Sequence, residues 1–283
     1  MNCQVRDVSK SKSGVIPLLL AAFLWSTIGL ATKRALNAGS DAFWIGGMRA
    51  GVSAVLSLIF LRRRVLDFKL ALIGIFFTGP LYLIYVFSVM HSGIGIAAVL
   101  LYTAPVIVII LAKFLLNESL NTRKLIALIL SLSGIVAIGL RGGGNLDLVA
   151  IALGLGSSLS YSGIILGVRK LAVSGYDEIE LGLGPQVWAA LELLPLLSLS
   201  RGSLNLDSMI SIVYLGIFPS FLAYYLHAMG LKRIEAGPAS IISNLEPISA
   251  LILGIFLGEQ PGLLGFLGSA LIISSAIIVS WRR

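Results

Sequence analysis

Glu246 lies about halfway along the apolar run 237–257 and directly precedes Pro247. Proline has no backbone N–H, and its ring clashes with the carbonyl four residues earlier, here that of Ser243. The helix is expected to loosen there and expose carbonyls to a ligand. A carboxyl at such a break could hold a substrate ammonium group, or take up and release a proton during exchange. Its other reading is a protonated side chain bonded between packed helices. Arg49 and Glu192 also lie inside apolar runs, each about two turns from the same end. They could form an ion pair that gates one side, although Arg49 could instead extend its long stem to the surface. His227, one turn from Tyr224 and close to Tyr225, could relay protons. A histidine near a helix end can equally be a surface or hydrogen-bonding residue. His91 falls in a turn, and neither histidine has carboxylates at ligand spacing, so no metal site and no cofactor are expected.

An aromatic and amide set accompanies these charges: Trp25, Tyr82, Tyr85, Tyr102, Tyr161, Gln186, Trp188, Tyr224, Tyr225 and Asn244. Tyr82, Tyr102, Tyr161, Gln186 and Asn244 lie too deep in their runs for an interfacial belt. Their polar atoms need partners inside the protein. Together the set would make a cavity with apolar walls and a few polar points, suited to an amphipathic solute. Pro105 is a second mid-run break. Gly47-x3-Gly51, Gly163-x3-Gly167 and Gly254-x3-Gly258 are candidate close-approach faces between helices. The Ser-rich stretch from Gly156 to Gly163 raises a serine nucleophile, but it lacks the Gly-x-Ser-Gly pattern, and no His base accompanies it. Gly142-Gly143-Gly144 is not followed by Lys-Ser, so there is no phosphate-binding loop. A membrane enzyme acting on lipid or peptide is the alternative to a carrier, with no catalytic residue to name.

The elements holding these residues must span a bilayer. Of 283 residues, 57% are apolar and 12% charged, against about a quarter charged in a soluble domain. The net charge of +8 sits in short clusters at the ends of apolar runs. No basic stripe with interleaved aromatics exists, which speaks against nucleic acid. Cys3 is the single cysteine, so no disulfide framework is expected. Crossing the hydrocarbon takes about 20 apolar residues. Runs of that kind cover 15–36, 43–61, 70–89, 94–113, 123–141, 146–168, 178–199, 207–229, 237–257 and 261–281. The first is too long for a cleavable leader and ends in no small-residue cleavage site. Alternating the spans puts 15 Lys and Arg on the side of the N-terminus, among them Arg62 to Arg64, and 4 on the other, among them Arg141. Both termini are then cytoplasmic.

The two halves resemble each other. Trp25-Ser26-Thr27-Ile28 aligns with Tyr161-Ser162-Gly163-Ile164, and Pro80 with Tyr85 aligns with Pro219 and Tyr224. Thr103-Ala104-Pro105-Val106 with Glu118 matches Leu245-Glu246-Pro247-Ile248 with Glu259. A five-span unit is odd, so its second copy enters from the other side, an arrangement common in carriers with a mid-membrane site. The expected fold is all-α integral membrane, ten transmembrane helices as two inverted five-helix repeats. Residues 1–14 form a cytoplasmic tail, 15–141 the first repeat and 146–281 the second.

These signatures, in order, resemble the EamA-type branch of the drug/metabolite transporter superfamily. They are Trp25-Ser26, Phe43-x5-Arg49, Tyr102-Thr103-Ala104-Pro105-Val106, Leu115-Leu116-Asn117-Glu118, Leu245-Glu246-Pro247-Ile248 and Leu257-Gly258-Glu259. The likeness runs from about Ile16 to Val279, and Asn117 departs from it where the family often has Gly. It implies a gradient-driven transporter of the cytoplasmic membrane, a monomer or homodimer, exporting amino acids or related small molecules.

Overall fold

The computed structural model describes residues 12–61, 67–139, 146–256 and 262–280. Among them every element is helical, and nine stretches are long and apolar enough to cross a membrane. They are α1 (Val15–Asn37), α2 (Ala42–Phe60), α3 (Phe68–Leu115), α4 (Thr122–Gly139) and α5 (Leu148–Val173). After these come α6 (Glu178–Leu199), α7 (Leu206–Arg233), α8 (Ala236–Leu253) and α9 (Gly262–Ser280). The ten apolar runs map onto them within a few residues. The count is nine because the runs 70–89 and 94–113 share α3, which is 48 residues long. Within it Gly93 leaves helical geometry, with φ 79 and ψ 163. Cys3, Arg62 to Arg64, Arg141 to Gly144, Glu259 and the chain ends, on which the charge split and part of the repeat rested, lie outside the described residues.

Acidic residues between the apolar runs are helix caps. Asp41, Asp147 and Asp177 accept bonds from the amides of Trp44, Ala150 and Glu180 at 2.8–2.9 Å. Asp177 and Glu180 complete a capping box. Each cap satisfies amides that the first helical turn leaves free.

Side-chain placement is inverted relative to a soluble protein. Ile59, Phe76, Phe114, Ile129 and Phe266 are all more than 60% exposed, while Arg49, Glu118, Gln186, His227 and Glu246 are buried. The apolar exterior matches lipid, which supplies no hydrogen bonds. Polar atoms must therefore be satisfied within the bundle, where α2 packs on α6, α3 on α5, α4 on α9, and α1 along α7.

Four helices are locally broken. In α1, Ser26 and Thr27 turn their hydroxyls onto the carbonyls of Phe23 and Leu24. Tyr102–Thr103 in α3 and Asn244–Leu245 in α8 form turns just before Pro105 and Pro247. α3 and α7 also contain π-helical segments, Gly74–Thr78 and Gly216–Leu222. These two segments are built alike. Thr78 donates to the carbonyl of Ile73 and Ser220 to that of Leu215, at 3.2 and 2.8 Å. Each starts at a glycine lying against backbone of another helix, Gly74 at Pro185 and Gly216 at Arg49. The interval from Gly74 to Gly216 recurs from Thr78 to Ser220 and from Pro105 to Pro247. It also separates Tyr82 from Tyr224 and Pro80 from Leu222, three residues away from the sequence alignment of Tyr85 with Tyr224 and Pro80 with Pro219.

Among the described residues, the glycines of the first two motifs are not where backbones approach most closely. Gly163 and Gly167 make room for the side chains of Phe77 and Ile73, and Gly51 for that of Leu194. Of these four glycines Gly47 also meets backbone, at Leu193, while Gly258 lies outside the described residues. Among the described residues the tightest backbone pair is Gly134 of α4 with Gly268 of α9, where an added Cβ on either would come within 2.5–2.6 Å of the other's carbonyl.

Candidate functional site

Five rings line a small cavity between the helices: Trp25 from α1, Tyr82 and Tyr85 from α3, Tyr161 from α5 and Tyr224 from α7. Ile28, Leu81 and Leu101 complete its apolar wall, and two charged residues, Arg49 and Glu246, line it as well. The rings lock one another. Trp25 meets Tyr161, Tyr224 and His227 edge-on at 4.9–5.7 Å, and Tyr82 meets Tyr224 at 5.9 Å. These are favoured edge-to-face separations. The indole Nε1 of Trp25 donates to the carbonyl of Pro219 at 2.9 Å, inside the π-helical segment of α7. The cavity holds about 40 Å³, room for a few waters at about 10–15 Å³ each.

Arg49 is buried, with its guanidinium 4.1 Å above the Tyr82 ring and its Nε donating to Ser220 at 2.5 Å. This holds a cation against an aromatic face, on the wall of the cavity. Glu246 begins the second part of α8 directly after the Asn244–Leu245 turn. Behind the wall, Gln186 accepts from Tyr82 at 2.5 Å and from Ser53 at 3.4 Å, which fixes the Tyr82 ring. Asn244 is fully buried and donates to the carbonyl of Tyr102 at 3.3 Å and to Ser131 at 2.9 Å.

Of the residues singled out in the sequence, Glu246, Trp25, Tyr82, Tyr85, Tyr161 and Tyr224 thus converge on one cavity. Tyr102, Gln186 and Asn244 support it from behind, and Pro105 and Pro247 follow the helix turns that shape it. The pairing of Arg49 with Glu192 is corrected. Arg49 turns inward to Tyr82 and Ser220, while the Glu192 Oε2 is buried beside the π-helical segment of α3, without a hydrogen-bond partner among the described residues. The cause is rotational, since Arg49 faces α7 and the cavity rather than the outer part of α6. His227 is a core residue 1% exposed, stacked on Tyr161 at 6.1 Å, with its Nε2 unpartnered among the described residues. His91 reaches Asp147 at 2.9 Å on the surface. Ser220, Ser131 and the Pro219 carbonyl were not found from sequence, because serines and carbonyls carry no distinguishing pattern. A larger open groove of about 410 Å³ between Lys33, Arg34 and Asp207 is a surface cleft bridged by an Arg34–Asp207 ion pair.

The model of the EamA-like transporter family matches residues 12–140 and again 148–281. An uncharacterized transporter of Archaeoglobus fulgidus is 30% identical over 76% of this chain and 78% of its own length. A second from the same organism is 28% identical over 95% and 97%. A probable terminal-alkyne amino-acid exporter of Streptantibioticus cattleyicolor is 25% identical over 68% and 66%. One crystal structure superposes with a TM-score of 0.81 at 19% identity, covering 96% of this chain and 99% of its own, a likeness of fold.

Proposed function

Because the chain belongs to the EamA-like transporter family, we propose that it is a secondary transporter that exports zwitterionic metabolites of the amino-acid class across the cytoplasmic membrane by alternating access. One observation carries this reading: Arg49 and Glu246, opposite in charge, line the same buried aromatic cavity. A cation or anion in a bilayer costs at least a few kcal/mol and normally faces a partner or a substrate path. A substrate carboxylate fits Arg49, its ammonium group fits Glu246, and the rings cover the carbon skeleton. Glu246 also offers a carboxyl to carry a proton when no substrate is bound.

The ten-span, inverted architecture has its own support. At 1.5 Å per residue α3 would measure about 70 Å, more than twice a hydrocarbon core of roughly 30 Å. Gly93 divides it into two crossings, which makes ten. The family model matches twice, and the paired π-helical segments and proline breaks recur at one interval. Each unit has five crossings, so the second enters from the opposite face, and both termini lie in the cytoplasm. The named exporter among the relatives favours outward transport of amino-acid-like cargo. An enzymatic reading is weaker. The hydroxyls of Ser157, Ser158 and Ser162 are bonded to Leu153, Thr103 and the carbonyl of Ser158, with no histidine among these partners.

The test is flux of amino acids in proteoliposomes with the wild type and Glu246→Gln. Counterflow by the wild type, lost or made insensitive to pH in the variant, is expected. Undiminished, pH-dependent transport by the variant would remove Glu246 from the mechanism. Absence of any flux, with turnover of a lipid or peptide, would replace the transporter reading by the enzyme.

A further inference from the structure

Glu118 follows the end of the α3 helix at a left-handed residue, Asn117, whose φ is 54. The Glu118 amide reaches back to the carbonyl of Ala112 at 3.2 Å, the same carbonyl that the Leu116 amide bonds at 3.0 Å, and so closes the helix end. This turn aims the side chain across the bundle at the first turn of α8. There Glu118 accepts from the amides of Ala236 and Gly237 at 2.7 and 3.2 Å. The N-cap of α8, Glu235, makes no capping bond of its own, and its carboxylate meets Lys124 at 2.8 Å. Lys124 and Arg169 stand 3.8 and 3.7 Å from Glu118. Arg169 also donates to the carbonyls of Leu231 and Lys232 at the end of α7. Glu118, Lys124 and Arg169 are all less than 10% exposed, so these charges are held by one another rather than by water.

We propose that Glu118 is a positioning residue for Glu246. It caps the first part of α8 in trans, fixes the helical segment that leads through the Asn244–Leu245 turn to Glu246, and seals the cavity toward the end of the bundle where Gly14 and Ala236 lie. The cap supplies two of the amide partners that a helix start lacks, and its charge opposes the positive helix end. Glu246 follows ten residues later, directly after the Asn244–Leu245 turn that ends this helical part of α8. Glu118 and Lys124 come from the first half of the chain, Arg169, Glu235 and the α8 amides from the second. Movement of one half against the other has to break the cap, so its loss favours the state open at this end.

This assignment rests on the alternating-access reading but is tested without flux. A single cysteine is placed in the cavity wall by Ile28→Cys in a Cys3→Ser background, and an impermeant maleimide is applied from either face of membrane vesicles. Glu118→Gln is expected to speed labelling from the Gly14 side about tenfold, the order that loss of a helix-end charge gives. Glu118→Asp, which keeps the charge, should restore most of the slow rate, and Lys124→Gln should give a smaller increase. Unchanged labelling in a folded, monodisperse Glu118→Gln, or equal acceleration from both faces, would overturn the assignment. If Glu118→Gln fails to fold, unchanged labelling in Lys124→Gln does the same. Wild-type flux combined with unchanged labelling rejects the cap alone, whereas faster labelling without any flux rejects the transport reading.

Discussion

The side-chain amide of Asn244 donates to the backbone carbonyl of Tyr102 at 3.3 Å, joining the turn in α8 to the turn in α3. In α3, the amide of Val106 bonds the carbonyl of Thr103 instead of that of Tyr102, which leaves an acceptor for Asn244. The interval between these residues is that between Gly74 and Gly216, and it also separates Tyr82 from Tyr224, whose rings touch. Two contacts between matching residues of the proposed repeats thus flank the cavity, as expected if a pseudo-twofold axis passes through it.

Asn244→Ala would leave the Tyr102 carbonyl and Ser131 without this donor in the core. The expected cost is about 1–3 kcal/mol of stability, read as a lower unfolding midpoint of the detergent-purified protein. An unchanged midpoint would show that the bond between the two turns contributes nothing.

Arg49→Gln should weaken binding of solutes that carry a carboxylate far more than binding of the corresponding amines. Removing one partner of a buried charge pair costs about 2 kcal/mol or more, some thirtyfold in affinity. Arg49→Lys should recover part of the loss, as a point charge without the planar fork. Equal losses for amino acid and amine would place Arg49 outside substrate contact.

Gly134→Ala and Gly268→Ala should each force α4 and α9 apart, because the added methyl group meets a backbone carbonyl that cannot swing away. Overpacking of this kind costs roughly 1–3 kcal/mol, measured as reduced folded yield and a lower midpoint. Gly167→Ala, which meets only the side chain of Ile73, should cost less. The reverse order would show that α4 and α9 can separate freely.

Asp67 lies before the first turn of α3 and outside the spans. Burial pushes its carboxyl up, but bonds from the Tyr176 hydroxyl and the amides of Lys69 and Leu70, with the Lys69 charge, outweigh it. They hold the group below its ordinary value of 3.8. A lowered folded value means stability that is present above the unfolded pKa and lost as pH falls through the folded one. Wild type should therefore exceed Asp67→Asn in midpoint at pH 7, by about the 1 kcal/mol typical of a cap at most. The difference should shrink below about pH 4. A gap independent of pH would assign the effect to something other than the carboxylate.

The apolar runs placed the helices within a few residues, since crossing lipid leaves few alternatives for the backbone. Pro105 and Pro247 disclosed the two turns through a missing N–H. The π-helical segments stayed hidden because an inserted residue changes hydrogen-bond partners without changing composition. Arg49 was legible as a buried charge but not in its direction, which depends on how α2 is rotated against α7. Glu118 read only as a marker of the repeat. Its partners, two backbone amides more than a hundred residues away, leave no trace in sequence.

Trp25 is both a wall of the cavity and a donor to the broken part of α7. Its indole emission depends on how much water reaches the ring, so entry of solvent on opening would move that emission to longer wavelength. With Trp44, Trp188 and Trp281 changed to Phe, the protein would carry its own optical gauge of whether the cavity is dry or wet, with no label attached.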